Sequence, residues 1–513
     1  MKCLIGIDIG TTGTKAAIFD VEGKLLADAY RESKLYYPRP GWVEQDPQDF
    51  YDAACETICE VIHKSGASPG AVAAISLDGQ MAGILGIDRD WKPVTHYDSW
   101  LDNRCEKYVA AIQRDFEDRV LQSSGLPTTV AHCAKMLWWQ HEQPETFQRI
   151  AKFVQPAGYV AGKLAGLRGE DAFIDYTYLH FSGLYDAAAT AWSRELCVDL
   201  QIPPEKLPKI VAPWQIIGTL TGPAARDCGL VSGIPIAAGT GDQAAGFLGA
   251  GLVEPGMVVD VAGTAALLAC CVDRYQPDLS YKTLLFPKAA SKGLWFPHAF
   301  IGGGGLCLRW FRDGIVKPDP KELEQIYPSL DREIADLPPG SDALLFVPHL
   351  GGRNYPYNSE VRGVWAGFSW GHERKHFYRA ILEAIAYEYY FYLKIEKELF
   401  PEANFSEVRV IGGGSKSKVF NQIKANVLGV PYVQLNREEV GGLGSAIIAG
   451  HAVGIYRNME ETARQFVKTK NRIEPDPKAT AYYQNFAELY IEMFAALQPL
   501  YSRLANLAAL PKP

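Results

Sequence analysis

The chain has 513 residues, of which 48% are apolar and 21% charged, and its 51 Lys and Arg against 59 Asp and Glu leave a formal charge of −8. That balance excludes a disordered chain, and the absence of a long basic run excludes nucleic-acid binding, which needs clustered positive charge. The length accommodates two large cores or three ordinary ones, because single cores stop growing beyond about 250–300 residues.

In chain order, residues 4–9 read as a buried strand, 11–13 as a turn, 15–20 and 25–30 as two more strands, giving an antiparallel meander. Asp46-Pro47 opens a helix to about residue 64, with Asp46 as N-cap and Pro47 at the first helical position. Residues 72–77 return as a strand that ends at Asp78-Gly79. Residues 7–12 (IDIGTT) recur at 259–264 (VDVAGT), an offset of 252, each as strand, Gly/Thr turn and strand. This divides the chain near residues 251–255. Downstream come a strand at 343–347, a long helix at 374–399 and a strand at 408–411 running into three glycines. A helix at 418–428, a strand at 432–435 and a Gly/Ala-rich helix at 441–453 complete an α/β pattern, and the tail from Gln498 reads as a fraying end.

The ten cysteines form no CxxC pair and no zinc-ligand spacing. Cys55 and Cys59 share a helix face and read as two buried small residues; Cys270 and Cys271 point to opposite faces of a strand. Scattered thiols point to a reducing cytoplasm. There is neither a signal-peptide h-region nor an apolar run of about 18 residues, so no membrane role is expected.

Four segments carry chemistry. Asp8-Ile9-Gly10-Thr11-Thr12 places a carboxylate at a strand end beside backbone and hydroxyl donors. It suits a phosphate with Mg²⁺ on Asp8, or simply a hairpin turn. Asp242, in Gly239-Thr240-Gly241-Asp242-Gln243, reads as a helix N-cap or as a base for a substrate hydroxyl. Gly412-Gly413-Gly414-Ser415-Lys416 exceeds what a tight turn needs and lets a flat ligand lie on the backbone. Trp100-Leu101-Asp102-Asn103-Arg104 combines an aromatic platform, a carboxylate and a guanidinium, as a polyol site or as a salt bridge beside a Trp.

Together these segments resemble the FGGY family of carbohydrate kinases. The residues that carry the resemblance are Gly363-Val364-Trp365-Ala366-Gly367-Phe368, followed after seven residues by His376-Phe377-Tyr378-Arg379-Ala380-Ile381-Leu382-Glu383, which is similar to the family's C-terminal signature with Phe368 in place of a smaller aliphatic. Lys135-Met136-Leu137-Trp138 fits the centre of the N-terminal signature, from which His132 and Trp139 depart. The resemblance spans about residues 3 to 455.

It implies two ribonuclease H-like domains of actin/hexokinase type, residues 1–250 binding sugar and 251–513 binding ATP, with the cleft between them. By motif it implies Asp242 as general base and Asp8 facing Mg²⁺. It places Thr11, Thr12, Gly263 and Thr264 on the phosphates, and Gly412, Gly413, Gly414 and Lys416 on the adenosine side. Within the family the chain is most like the xylulokinases, since Gln80-Met81 and Trp100, Asp102 and Arg104 resemble their sugar motifs. Ala82 stands where those enzymes carry a His, which removes a ring donor to a sugar hydroxyl. The implied reaction is ATP-dependent phosphorylation of a sugar, a ketopentose such as D-xylulose, with ribulose, gluconate or another ketose as competing substrates. A non-kinase actin-like ATPase is the alternative class. The aromatic run at residues 387–392 reads either as the buried side of a helix or as a homodimer face.

Overall fold

The computed structural model describes residues 2–508 and 510. Strands Cys3–Ile9 (β1), Gly13–Asp20 (β2) and Leu25–Glu32 (β3) form the expected antiparallel meander. Helix α1, Pro47–Ser65, starts where the cap predicts: the Asp46 side chain accepts from the Gln48 N–H at 2.8 Å. Strand β4, Val72–Gly79, runs parallel to β1, pairing Asp78 with Asp8. Ile216–Thr219 (β5) and Pro235–Ala237 (β6) extend the sheet, which reads β5-β6-β4-β1-β2-β3, and helix Asp242–Gly249 (α2) follows.

The second half repeats this plan. Val258–Ala262 (β7), Ala266–Cys270 (β8) and His298–Ile301 (β9) form a second meander. Helix Arg374–Leu399 (α3) leads to Val408–Ile411 (β10), which pairs parallel with β7 as β4 does with β1. Lys418–Leu428 (α4), Tyr432–Leu435 (β11), Gly441–Ala452 (α5) and Thr469–Ile473 (β12) follow, and the sheet reads β9-β8-β7-β10-β11-β12. The recurrence at an offset of 252 is thus the visible part of a duplicated sheet. Its second aspartate is not reused at the cleft. Asp260, the counterpart of Asp8, is buried, ion-paired with Lys424, and accepts from the Tyr389 hydroxyl at 2.8 Å.

Helix α5 packs against β1, β4 and α2, and its glycines permit that approach: a Cβ at Gly6 would collide with the Gly442 carbonyl, and one at Gly444 with the Ala245 carbonyl. Several expectations are corrected. The strand at 343–347 is shortened to Leu345–Val347, because Ser341–Ala343 forms a left-handed turn. Cys55 is buried but Cys59 is exposed, at the rim of the buried face of α1. Cys270 and Cys271 do enter separate cores. The aromatic run at 387–392 takes the buried-helix reading: Tyr387, Tyr389 and Tyr392 are buried in α3, with Tyr390 and Phe391 partly exposed. The last helix, Pro477–Ala508 (α6), packs on α3 with Tyr483 and Tyr490 against Tyr387. The tail does not fray at Gln498, since α6 runs Pro477–Ala508; residues 509 and 511–513 lie outside the described residues.

Candidate active site between the two sheets

The carboxyl ends of adjacent parallel strands bring three aspartates together. Asp8 ends β1 and Asp78 ends β4; Thr240-Gly241 pairs with Asp78-Gly79 on the other side and delivers Asp242 to the start of α2. The crevice outside such strand ends is where open α/β sheets bind ligands. A cleft of about 660 Å³ opens there, walled by Thr11, Gln80, Met81, Ala82, Trp100 and Asp242 from the first half and by Val261, Ala265, Phe300 and Ile411 from the second.

Crowded, buried carboxylates resist ionisation. Burial and then the charges of Asp242 and Glu439 push the Asp8 carboxyl up to about 7. Burial raises Asp242 to about 6 against the pull of the Gln243 N–H, which donates to it at 2.7 Å. Burial and the Asp8 charge lift Asp78 well above the carboxylate range. Lys15 is the nearby cation, held between Asp28 and Glu439. Asp8 Oδ1 is buried and accepts no hydrogen bond.

The turn that carries Asp242 is braced from behind. The Thr177 hydroxyl donates to Asp175 at 2.5 Å, accepts from the Gly241 N–H at 2.9 Å, and lies 2.7 Å from the Thr240 hydroxyl. Met81 packs on Gly241, where a Cβ would lie 2.5 Å from the thioether methyl. Asp242 is not the N-cap; that position belongs to Gly241, and Asp242 is the first helical residue.

In the second half, Gly263 and the exposed Thr264 form the β7–β8 turn beside Ala265. Gly412 leaves β10 with φ +83°, and a Cβ there would lie 2.9 Å from the Ala262 carbonyl. Gly413 faces open space, and Gly414 and the exposed Lys416, 3.3 Å from Glu438, continue the same turn. These residues border the cleft next to Ile411 rather than wall it.

Two sequence expectations fail. Asp102 and Arg104 do not line the cleft. Arg104 binds Asp102 through Nε at 2.8 Å and Nη2 at 2.6 Å, reaches Glu44 at 2.6 Å, and lies 3.8 Å over the Trp42 ring with its side chain 1% exposed. Asp102 also accepts from the Val43 N–H at 2.6 Å, so the pair is the buried salt bridge beside a Trp. The neighbouring Leu101 and Asn103 face the cleft instead. Nor is the Thr11 hydroxyl a free phosphate donor, since its hydrogen goes to Gln80 Oε1 at 3.0 Å. Lys135 of the partial N-terminal signature is buried and ties the Ser99 and Asp102 carbonyls at 2.9 and 3.0 Å, steadying the Trp100–Arg104 segment.

Motif reading missed Gln45, Asp78, Thr177, Glu439 and Ser445. Only Asp78 had a local signal, an Asp-Gly at a strand end like Asp8.

Comparison with known proteins agrees with this geometry. The family model for the N-terminal domain of the FGGY carbohydrate kinases matches residues 3–249, and that for the C-terminal domain matches residues 261–453. The chain belongs to the FGGY family of carbohydrate kinases. It is 27% identical to the xylulose kinase of Bacillus subtilis (strain 168), over 99% of both chains. The ligand-bound xylulose kinase from Lactobacillus acidophilus superposes with a TM-score of 0.89 at 26% identity, covering 98% of this chain and 100% of that one. The gluconate kinase from the same organism superposes at 0.90 and 27% identity, covering 98% and 99%. This FGGY protein is therefore an ATP:sugar phosphotransferase with the two-domain actin/hexokinase-like fold of that family.

Proposed function

We propose that this kinase phosphorylates an uncharged ketose, a ketopentose such as D-xylulose, with Asp242 as the general base. The observation that carries the choice of base is the position of Asp242: it walls the cleft at the end of the central strands, with a carboxyl raised to about 6. At neutral pH such a group is ionised yet basic enough to take the proton of a sugar hydroxyl as it attacks phosphorus. Residues 1–250 supply the sugar side, through Gln80, Met81 and Trp100. Residues 251–513 supply the nucleotide side, through the Gly263-Thr264 turn and Gly412–Lys416.

The donor set also fits Mg²⁺. Asp8 offers a buried oxygen without a partner, amid carboxylates that crowd one another. Among the described residues no group of three His, Cys, Asp or Glu forms a closed metal site. One or two carboxylates completed by phosphate oxygens and water is the coordination Mg²⁺ favours. When bound, Mg²⁺ would neutralise charge on the ATP phosphates. The backbone of Thr11 and Thr12 orients them.

A neutral substrate is favoured over an aldonate by the charge of the walls. Arg353 is the one cation among the described lining residues, and its guanidinium lies 4.7 Å over the Phe494 ring. There it serves Glu388: burial pushes that carboxyl up, but His349 and Arg353 together draw it down to about 2. Arg104 is likewise consumed, by Asp102 and Glu44. A carboxylate in the sugar pocket would meet the Asp242 carboxylate, and the single cation of the described lining, Arg353, lies against Phe494 with Nε and Nη2 carrying no hydrogen bond and its charge acting on Glu388. Among the described residues no helix is long and apolar enough to cross a membrane, and the proposed location, on the scattered cysteines of the sequence, is the cytoplasm.

A panel of ketopentoses, other ketoses, polyols and aldonates in an ADP-coupled assay tests the proposal. Turnover of a neutral ketose and none of gluconate is expected. Turnover of aldonates alone would overturn the substrate assignment.

A further inference from the structure

Gln45 belongs to no motif, yet it closes a ring of hydrogen bonds between the two ends of the site. The Trp100 indole N–H donates to the Thr11 hydroxyl at 2.8 Å, and that hydroxyl donates to Gln80 Oε1 at 3.0 Å. Gln80 Nε2 donates to Gln45 Oε1 at 2.7 Å, and Gln45 Nε2 returns to the Thr11 carbonyl at 3.3 Å. Gln45 and Gln80 are 1% and 2% exposed.

The ring has one consistent polarity. A hydroxyl has a single hydrogen, and an amide has a distinct oxygen and nitrogen end. With the Thr11 hydrogen on Gln80 Oε1, Gln80 must offer its nitrogen to Gln45. Gln45 must then turn its own nitrogen to the Thr11 carbonyl. Each amide thereby dictates which way the other faces. What Gln80 can still show a sugar is one N–H and one oxygen lone pair. What Thr11 can still show a phosphate is its backbone. Gln45 is itself anchored, since Glu44-Gln45 pairs with Tyr97-Asp98, just ahead of Trp100.

We propose that Gln45 is a positioning residue for phosphoryl transfer, which locks the sugar-facing amide of Gln80 and the phosphate-facing turn at Thr11 into one rigid unit. This rests on the sugar-kinase reading of the cleft. Gln45 touches neither ligand and acts through Gln80 and Thr11. Phosphoryl transfer depends on alignment, and a misplacement of about 1 Å costs on the order of 10²-fold in rate. Loosening the ring therefore lowers turnover and lets ATP hydrolyse without an aligned acceptor.

The test compares Gln45→Leu, which removes both amide bonds, and Gln45→Glu, which keeps an acceptor for Gln80 but faces the Thr11 carbonyl with an oxygen. Both are assayed with whichever carbohydrate the wild-type enzyme turns over best, after thermal melts confirm folding. For Gln45→Leu, kcat falls about 10-fold or more, and the ratio of ADP to sugar phosphate rises above one. Gln45→Glu keeps part of the sugar affinity but shares the rise in the ratio. Trp100→Phe, which removes only the indole N–H, combines with Gln45→Leu less than additively, because both open the same ring. Wild-type kcat, KM and ADP ratio in folded Gln45→Leu, or a loss confined to melting temperature, would overturn the proposal. If only an aldonate proves to be a substrate, the neutral-sugar assignment fails while the Gln45 comparison is still read on that aldonate.

Discussion

The Ser445 hydroxyl on α5 donates to the Asp78 carboxyl on β4 at 2.5 Å, with both residues fully buried. One half of the duplicated fold thus reaches into the strand-end cluster of the other. Asp78 lies between Asp8 and Thr240 in the strand register, so this contact sits directly beneath the proposed site of phosphoryl transfer.

Ser445→Ala removes that donor and leaves a buried carboxyl oxygen without a partner. An unsatisfied buried polar group costs about 1–3 kcal/mol. The expected result is an unfolding free energy lowered by that amount, read in a urea titration as a lower midpoint at unchanged slope. An unchanged midpoint would show that the contact between the halves contributes nothing.

Asp242→Asn retains the side-chain shape and loses the base. Turnover is expected to fall on the order of 10²-fold or more. The pH profile carries the sharper signature. The base must be ionised, so kcat/KM should drop as pH falls through about 6, the range set by Asp242. In Asp242→Asn that step disappears. Near wild-type turnover in a folded Asp242→Asn protein would remove Asp242 from the mechanism.

What could be read from the chain beforehand was whatever is local. Asp8 and Asp242 each sit in a short run whose glycines and threonines announce a strand-end turn, and the structure puts both beside Asp78 at neighbouring strand ends, with Asp242 on the cleft wall. The helix cap at Asp46 is equally local. The hydrogen-bonded neighbours of the site were hidden because topology alone assembles them. Gln45 precedes α1, Thr177 lies in a crossover between strands, and Glu439 and Ser445 come from the other half. Asp102 and Arg104 were misplaced for the opposite reason: a spacing that suits a polyol also suits a buried ion pair, and only packing against Trp42 decides which forms. Asp260 shows the same ambiguity, since a repeated Asp at a repeated strand was free to pair with Lys424 instead of a ligand.

Asp175→Asn separates charge from hydrogen bonding. The Asp175 carboxyl is buried and accepts from the Thr177 N–H at 2.9 Å and the Thr177 hydroxyl at 2.5 Å, through the same oxygen. An Asn carbonyl accepts both. Burial raises the Asp175 carboxyl to about 7 from its ordinary value of 3.8. The folded protein therefore binds a proton that the unfolded chain has released between pH 4 and pH 7, and stability falls as pH rises through that window. Asn pays no such penalty, so the variant should match wild type near pH 4 and exceed it at pH 8. The gain is on the order of 4 kcal/mol, read from melts at both pH values. Equal stability at pH 8 would show that Asp175 ionises without cost.

Arg104→Met distinguishes a structural role from a sugar contact. The guanidinium is enclosed by Asp102, Glu44 and Trp42, and Asp98 Oδ1 lies 3.5 Å from its Nη1. Burial pushes the Asp98 carboxyl up, with the Arg104 charge the main restraint, and it settles at about 6. Removing one member of a buried ion pair strands the other charges and typically costs about 3–5 kcal/mol. The loss should appear chiefly in the melting temperature, and it should deepen as pH rises above 6 and Asp98 ionises without its partner. Because Leu101 and Asn103 face the cleft in place of Arg104, KM for the sugar should stay within about threefold of wild type in the protein that remains folded. A large rise in KM at unchanged stability would return Arg104 to the sugar site and would mean that the ring of acids around it opens when substrate binds.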